Sequence, residues 1–418
     1  MGTDSLKLSK RVYRSEKDFK DLKKSWNELV DFAGADVFQL HEWQYSWWNM
    51  FRADNELFIV TYWLKDKLIA LLPFFIQKKK FSRLRFVKTL QLIGSHITTA
   101  EDGLLPVGKA FGGYLDIIVH PEHFDLISQE IPGLFKELIQ SVNQISLDEI
   151  PEHSLLMHCL PSFQESDKWT LKHSEASKCS QCLIGLGWDR YLSTLSKSTR
   201  KNIRRGLRNV YDDEVFEVHE AKTEEKFELI FDELVRLHQS RWHKQDMPGI
   251  FADHRMEYFF RSTISNLFRN GLASIHWAEK NQRIIAVELT CHYNHTIYTL
   301  QGGYDIDSEF TKYSPSNLII YHMMKTGVEN GYLVFDWLRG SEKYKSSTSN
   351  LVLQNHKLTL TAKNRLSGLK FFITETSTDL LTRSQNERLV LSVYFENYTF
   401  LNALKKYIRR LITHNRID

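Results

Sequence analysis

A dense group of residues suited to acid–base and anion-binding chemistry lies at the end of the apolar stretch Tyr332–Gly340. Ten consecutive positions hold Asp336, Arg339, Glu342, Tyr344 and Lys345. A carboxylate can take a proton, a phenol can give one, and cationic side chains bind phosphate or carboxylate. This density is unusual for packing alone and predicts a site that binds and transforms a ligand. The alternative interpretation is a structural ion-pair network of Asp336, Arg339 and Glu342.

A helix that begins with proline is the second signal. Its apolar run, Leu318–Met324, is preceded by Tyr313, Ser314, Pro315, Ser316 and Asn317. Proline suits a first helical turn, because that turn has no use for the missing N–H. The free N–H groups and the positive dipole end of a helix start can hold an anion. We therefore predict an anion site at this turn, with an ordinary N-cap at Ser314 as the alternative.

A lone carboxylate, Glu288, falls within the predicted apolar strand Ile284–Tyr293. An unpaired buried carboxylate is costly, so such a residue is usually paired or functional. Alternation along the strand places Glu288 away from the most apolar side, and we expect it to face the cleft. The candidate bases are therefore Asp336, Glu342 and Glu288. The candidate acids are Tyr304 and Tyr344.

The elements that must position these residues follow a repeated pattern. The hairpins Leu57–Ile76 and Leu272–Tyr293 each consist of a strand, a tight polar turn and an apolar strand. Third strands follow at Phe86–Ile93 and Thr296–Gln301, and helical sequence lies on both sides of each meander. The length of 418 residues also favours more than one core. We predict an α/β (α+β) fold of tandem domains, with mixed central sheets flanked by helices.

The predicted boundaries are 1–165 for an N-terminal domain, 166–375 for a C-terminal catalytic domain and 376–418 for a helical extension. Helices are predicted at His41–Phe51, Phe124–Val142, Thr223–Arg241 and Arg255–Arg269. Further strands are predicted at Ser154–Leu160 and Tyr332–Gly340. Chance similarity of two hairpins in a large sheet is the alternative to a duplication.

This order of elements resembles the acyl-CoA N-acyltransferase (GNAT) fold, present twice. The second half is similar to acetyltransferase domains of cellulose and exopolysaccharide biosynthesis (CelD-like), distant relatives of the aminoacyltransferases that build peptidoglycan bridges. The resemblance rests on five ordered segments: Ser196–Arg205, Leu237–Trp242, Gly302–Asp305, Tyr313–Ser316 and Phe335–Lys345. Two positions depart from the family pattern, since Ser316 replaces the usual Gly and Ser341 a frequent acidic residue.

The resemblance implies an N-acetyltransferase or N-acyltransferase that uses acyl-CoA, either acetyl-CoA or a longer thioester. The thioester would lie between two splayed parallel strands, with its pyrophosphate at the following helix, and would contact Tyr304, Tyr313, Ser314, Ser316 and Asn317. The acceptor would be an amine, such as an amino sugar or an envelope-glycan precursor, bound by Arg339, Lys345, Trp242 and Arg241. The residues expected to carry the chemistry are Asp336, Glu342, Tyr344 and Glu288.

Composition narrows the range of partners. The formal net charge is +4, from 55 basic and 51 acidic residues, which is too balanced for sequence-specific nucleic-acid binding. The seventeen histidines have no metal-ligand spacing, so we expect no metal. Cys179 and Cys182 form one C-x-x-C without a second pair, and we expect reduced thiols near a strand.

The absence of a signal-peptide core and of any run near ~18 apolar residues predicts a cytoplasmic protein. Two amphipathic basic segments are candidates for contact with an anionic partner or a membrane. Lys197–Arg208 places its cations on one helix face, which is either solvated or in contact with an anionic partner. Tyr398–Arg416 either packs on its own domain, which we favour, or rests at the inner membrane face.

Two other functions remain open at this stage. In the first, aminoacyl-tRNA replaces acyl-CoA as the donor, and the basic face of Lys197–Arg208 would contact the RNA. In the second, the duplicated fold is a non-catalytic binding factor in polysaccharide biosynthesis.

Overall fold

The computed structural model describes residues 7–82, 85–95, 113–164, 166–212, 215–340 and 342–363. The strands in these ranges are β1 Leu8–Tyr13, β2 Glu56–Leu64, β3 Lys67–Ser82, β4 Arg85–Leu92, β5 Ile118–Val119, β6 Gln144–Pro151, β7 Trp169–Leu183, β8 Glu217–Glu220, β9 Ala273–Lys280, β10 Arg283–Tyr293, β11 Thr296–Tyr304, β12 Val334–Arg339 and β13 Leu351–Ala362. The α-helices are α1 Glu16–Asp21, α2 Lys23–Ala33, α3 His41–Phe51, α4 Phe124–Leu138, α5 Leu155–His158, α6 Leu160–Gln164, α7 Trp188–Thr194, α8 Lys197–Tyr211, α9 Glu224–His243, α10 His254–Arg269, α11 Pro315–Glu329 and α12 Lys343–Thr348.

All described strands belong to one mixed sheet in the order β1-β2-β3-β4-β6-β13-β7-β12-β11-β10-β9-β8, with β5 beside β3. Each half contains an antiparallel meander, a helix and a strand parallel to the last meander strand. In the first half these are β2-β3-β4, α4 and β6, and in the second they are β9-β10-β11, α11 and β12. The predicted duplication and the predicted mixed sheet with flanking helices are confirmed.

Three residues in the two hairpin turns have positive φ angles, and only one of them is of a type that favours this geometry. Lys65 closes the first hairpin with φ 55°, and Asn281 and Gln282 close the second with φ 51° and 60°. Positive φ values at tight turns are tolerated best by Gly, Asn and Asp, so Asn281 fits directly, whereas Lys65 and Gln282 adopt a less favoured conformation.

Two long strands, β7 and β13, join the halves in the middle of the sheet. Strand β13 pairs with β6 on one side and with β7 on the other, and β7 also pairs with β12. Neither strand was predicted as a sheet element; β7 is rich in Lys, Ser and Glu and only partly buried. The domain boundaries near residues 165 and 375 stay predictions.

One predicted element is wrong. Ser154–Leu160 is not a strand: Ser154 caps the short helix α5, and its hydroxyl accepts a hydrogen bond from the N–H of Leu156 at 3.0 Å. The strand lies earlier, at β6, where Ile145, Leu147 and Ile150 are buried. A capping serine satisfies N–H groups that a strand would give to its neighbour, and this favours the helix.

The predicted helices and the reduced thiols are present in the structure. The helices expected from residues 41, 124, 223 and 255 onward appear as α3, α4, α9 and α10. All four cysteines are buried and free, with Cys179 and Cys182 in β7. Within the described ranges, no helix combines the length and apolar character needed to cross a bilayer. The predicted extension 376–418 and its segment Tyr398–Arg416 lie outside the described residues.

Candidate functional site

Strands β11 and β12 separate to form a cavity of about 740 Å³. They run parallel over only three residue pairs, the last of which joins Tyr298 and Asp336. Beyond that point each strand carries one extra residue relative to its antiparallel neighbour, at Leu300 in β11 and between Asp336 and Arg339 in β12. Bulges of this kind bend a strand and leave its backbone locally unpaired. The sheet therefore opens in the part of the fold where the sequence predicted a site.

Most of the predicted site residues meet in this cavity. The eleven that line it are Glu288, Tyr304, Glu342, Tyr344, Ser314, Ser316, Asn317, Arg339, Lys345, Trp242 and Arg241. The two that do not line it are Asp336 and Tyr313.

The start of helix α11 faces the cavity with unused donors. Ser314 has a left-handed backbone (φ 54°), and its side chain makes no capping hydrogen bond. Its own N–H donates to Thr311 O at 2.9 Å, and the first helical bond runs from Leu318 N to Ser314 O at 3.3 Å. Among the described residues, none accepts a hydrogen bond from the N–H groups of Ser316 and Asn317. The turn is thus not the self-capped helix start that was the alternative interpretation.

Glu288 is the buried carboxylate of the cavity, with 8 % of its surface exposed. It lies opposite Gly302 in the β10–β11 register, and a Cβ added at Gly302 would lie 2.6 Å from Glu288 Cδ and closer still to both carboxylate oxygens. Only glycine leaves room for the carboxylate here. Burial raises the pKa of Glu288 to about 8, against the lowering effects of a Ser316 hydrogen bond and of the Arg241 and Lys345 charges. A carboxylate with that pKa can accept and release a proton near neutral pH.

Two cavity cations are already paired within the protein. Arg339 forms an ion pair with Glu149 at 3.0 Å. Lys345, which is only 8 % exposed, donates to the carbonyl of Arg339 at 2.6 Å and lies 3.3 Å from Glu342. The predicted anion-binding pair Arg339 and Lys345 is therefore part of a local network that fixes the chain around Gly340.

A third cation, Arg241, lies between aromatic rings. Its guanidinium carbon is 5.3 Å from the centroid of Trp242 and 5.7 Å from that of Tyr304. Trp242 is itself fixed, because its indole N–H donates to Nε2 of the buried His238 at 2.9 Å. His238 also lines the cavity. Burial lowers the pKa of His238 to about 4, so the ring is neutral and its Nε2 can accept the hydrogen bond from the indole N–H.

Asp336 lies behind the cavity wall instead of in it. The side chain is fully buried and accepts hydrogen bonds from Tyr114 Oη at 2.8 Å, from Gln181 Nε2 at 2.7 Å and from Leu338 N at 2.7 Å. The last of these bonds holds Leu338 in a left-handed conformation (φ 56°) and so maintains the bulge of β12. Burial raises the pKa of Asp336 against these hydrogen bonds. Its geometry is that of a residue that positions β12.

The two remaining aromatic candidates differ in location. Tyr313 packs its ring against Phe216, with centroids 5.7 Å apart, and so belongs to a small apolar cluster beside α11. Tyr344 lines the cavity, is 43 % exposed and meets Trp337 edge-on at 5.3 Å. Burial and the neighbouring carboxylates of Glu342 and Glu288 raise the pKa of Tyr344, so its phenol keeps its proton.

The first half of the chain supports the site from behind. Tyr114 bonds to Asp336, and Glu149 bonds to Arg339, while every lining residue in the described ranges falls between His238 and Lys345. Sequence reasoning missed Tyr114 and Glu149, since nothing in their local pattern signals a partner about 200 residues away.

A separate feature of the second half is a basic groove between α8 and α11. Its cations are Lys197, Arg200, Lys201, Arg204, Arg208 and Lys325. No ion pair involves these six residues within the part of the chain that the structure describes. The predicted basic face of Lys197–Arg208 is thus present on a helix, as expected.

A single group in the described ranges has donor atoms close enough for a metal: His120, Glu122 and His123. Nε2 of His120 lies 3.1 Å from the Lys67 ammonium, and Nδ1 receives the N–H of Glu122 at 3.3 Å. Both ring nitrogens of His120 are thus engaged, and this arrangement is not evidence of a metal.

Comparison with protein families identifies the class to which this site belongs. Residues 197–346 match the model of the acetyltransferase (GNAT) domain. The matched segment runs from the basic helix α8 through the cavity to α12, and so contains all the lining residues. On this match residues 197–346 carry a GNAT acetyltransferase domain and the protein is an acyltransferase, whereas the CelD-like subfamily stays a prediction. No protein of curated function matches this chain.

Solved structures support the fold. The crystal structure of FemX is 11 % identical, with 84 % of this chain and 96 % of that chain covered and a TM-score of 0.54. L-PGS from Bacillus licheniformis is 12 % identical, with coverages of 84 % and 96 % and a TM-score of 0.46. A tandem GNAT protein from the clavulanic acid biosynthesis pathway is 7 % identical, with coverages of 85 % and 100 % and a TM-score of 0.41. At these identities the likeness concerns the fold alone, and of these three structures the one whose TM-score exceeds 0.5 is that of FemX.

Proposed function

We propose that this protein transfers an acyl group from acyl-CoA to an amine acceptor in the cavity between β11 and β12. The observation that carries the proposal is the combination of open amides at Ser316 and Asn317 with a buried carboxylate, Glu288, in one cavity. A helix start with unused N–H groups fits a pyrophosphate. A carboxylate whose pKa is about 8 fits the removal of a proton from an ammonium group.

The residues can be assigned to the steps of the transfer. The amine nitrogen attacks the thioester carbonyl carbon, the carbon–sulfur bond breaks, and the proton of the amine passes to Glu288. The departing thiolate takes a proton from the phenol of Tyr344, which is protonated at neutral pH. The phenolate then regains a proton from solvent, and Glu288 releases the proton of the amine to solvent. In the proposal, backbone groups freed by the bulge at Leu300, which lines the cavity, stabilise the developing charge on the carbonyl oxygen. Asp336 has a positioning role in this scheme.

The acceptor is inferred from the family that the second half resembles. We propose an amino sugar or another precursor of envelope glycans, in keeping with the resemblance of the second half to polysaccharide-biosynthesis domains; this step is analogy. A cytoplasmic location, where such precursors and acyl-CoA would meet, is part of the same proposal.

Thiol release from acetyl-CoA in the presence of amines tests the proposal. The wild-type protein should release CoA in an amine-dependent manner, and Glu288→Gln should lower kcat by about 10²–10⁴, the usual contribution of a general base. Glu279→Gln is a matched control, because Glu279 lies on neighbouring strand β9 outside the cavity and bonds to Trp277. Equal activity of Glu288→Gln and the wild type would show that Glu288 is not the base. If the protein does not bind CoA, acyl-CoA is not its donor.

A second candidate uses aminoacyl-tRNA as the donor. The observation that favours it is the groove of α8 and α11, where six cations lie beside one carboxylate, Asp212, and form no ion pair among the described residues. Phosphate backbones are the natural counterpart of such a surface, and their binding weakens steeply with salt. Calorimetric titration separates the candidates: acyl-CoA binding without tRNA binding supports the first. Salt-sensitive binding of charged tRNA without CoA binding supports the second.

A further inference from the structure

The cationic side chains of the cavity have carboxylate partners with one exception. Arg339 is paired with Glu149 and Lys345 with Glu342, at 3.0 and 3.3 Å. No residue in the described ranges forms an ion pair with Arg241, although its charge reaches Glu288 and lowers the pKa of that carboxyl group. The cavity therefore presents one guanidinium without an ion-pair partner to an incoming substrate.

Arg241 is held in a fixed pose that suits recognition. Its guanidinium lies within 6 Å of the ring centroids of both Trp242 and Tyr304, at 5.3 and 5.7 Å. Trp242 cannot swing away freely, because its indole bonds to the buried His238. A guanidinium ordered before binding loses less conformational freedom when it binds, and its planar fork matches the two oxygens of a carboxylate or phosphate.

The position of Arg241 places that charge beside the reacting groups. Arg241 lines the same cavity as Glu288 and Tyr344, and its charge lowers the pKa of both, so all three groups are within electrostatic reach of one another. When an amine reaches Glu288, the groups attached next to that amine therefore lie close to Arg241.

We propose that the amine acceptor carries an anionic group, a carboxylate or a phosphate, near its amine, and that Arg241 binds this group and so determines specificity. The inference rests on the proposed function, because it takes the acceptor to be an amine and Glu288 to be its base. Of the residues that the sequence suggested for binding the acceptor, Arg241 would hold the anionic group, because Arg339 and Lys345 are paired inside the protein.

The test uses amines that differ only in the anionic group. Thiol release from acetyl-CoA is measured with glucosamine 6-phosphate against glucosamine and with glycylglycine against glycylglycinamide. We expect kcat/KM to favour the anionic member by about tenfold or more, as for hydrogen bonds to charged groups. Arg241→Gln should reduce that preference to about threefold or less. Arg236→Gln is the control, because Arg236 lies on the same helix and is paired with Glu233. This variant should keep the preference.

Three results would overturn the inference. The first is a wild-type protein that uses neutral and anionic amines equally. The second is a preference that survives in Arg241→Gln. The third is a variant that loses CoA affinity, measured by calorimetry, while acceptor preference is unchanged, because Arg241 would then bind the phosphates of the donor.

A binding measurement keeps the inference separate from the proposed function. If no amine is turned over, the proposed function fails, and thermal shifts of the resting protein with glucosamine 6-phosphate and glucosamine decide on Arg241. Stabilisation by the phosphate alone, lost in Arg241→Gln and retained in Arg236→Gln, supports an anion site. Equal shifts with both sugars, or equal shifts in both variants, refute it.

Discussion

Replacement of Glu288 by glutamine should make the protein more stable than the wild type, by an amount that grows as the pH rises from 5 to 8. In the folded protein the pKa of Glu288 is raised by burial to about 8, whereas an exposed glutamate titrates near its ordinary value of 4.5. Between these values the folded state binds a proton that the unfolded state has released. Stability of the wild type therefore falls as the pH rises through this window.

The size of the effect follows from the shift. A difference of one pKa unit corresponds to 1.36 kcal/mol, so a rise from 4.5 to about 8 sets a ceiling of roughly 5 kcal/mol on the penalty carried by Glu288 at alkaline pH. Glutamine keeps the shape of the side chain and an acceptor for the Ser316 hydroxyl, but it cannot ionise. The variant should escape the penalty and differ least from the wild type near pH 5.

Urea denaturation of the wild type and Glu288→Gln at pH 5, 6, 7 and 8 measures this difference. Asp36 and Asp116, whose pKa values are also raised by burial to about 7, titrate in both proteins, so the difference between the two curves isolates Glu288. Parallel curves would refute the reasoning, because they would mean that the carboxylate is solvated and has an ordinary pKa. A gap that opens steadily with pH would support it.

Three further outcomes are expected. Gly302→Ala should lower kcat/KM by about tenfold or more, because its Cβ displaces the Glu288 carboxylate, whereas Gly133→Ala on the open surface of α4 should leave activity unchanged. Asp336→Asn should destabilise the protein by about 1–3 kcal/mol in urea denaturation, since an amide NH₂ would face donors that now bond to a carboxylate oxygen, and the Leu338 turn would loosen. The kcat/KM of the wild type should rise with pH up to about 8 and then level off, because the base must be ionised, and this dependence should be absent in Glu288→Gln.

The parts of the site that local sequence patterns specify were predictable. Pro315 after a short polar turn marks the start of α11, and the alternation around Glu288 puts its carboxylate in the cavity. These signals depend only on neighbours in the chain, which is where propensity and periodicity are informative. The two hairpins were found for the same reason.

Asp336 shows why the rest could not be predicted. Its place near the end of the strand suggested that it faces the cleft, but the bulge comes after Asp336, so that Trp337, Leu338 and Arg339 line the cavity and Asp336 stays behind its wall. The partners that hold it and Arg339, Tyr114 and Glu149, come from the other half of the chain. Long-range pairs of this kind depend on how the halves meet, and a single sequence carries no local mark of them.

The strand that unites the two halves, β13, is the last of the described strands in sequence and one of the most central in space. While the chain is being synthesised, β6 and β7 must each wait with an open hydrogen-bonding edge until residues 351–362 have emerged. Open edges invite pairing with other chains. The nascent protein is therefore most exposed to misassembly shortly before synthesis of the described region is finished, and a chain that stops before β13 would keep both edges bare.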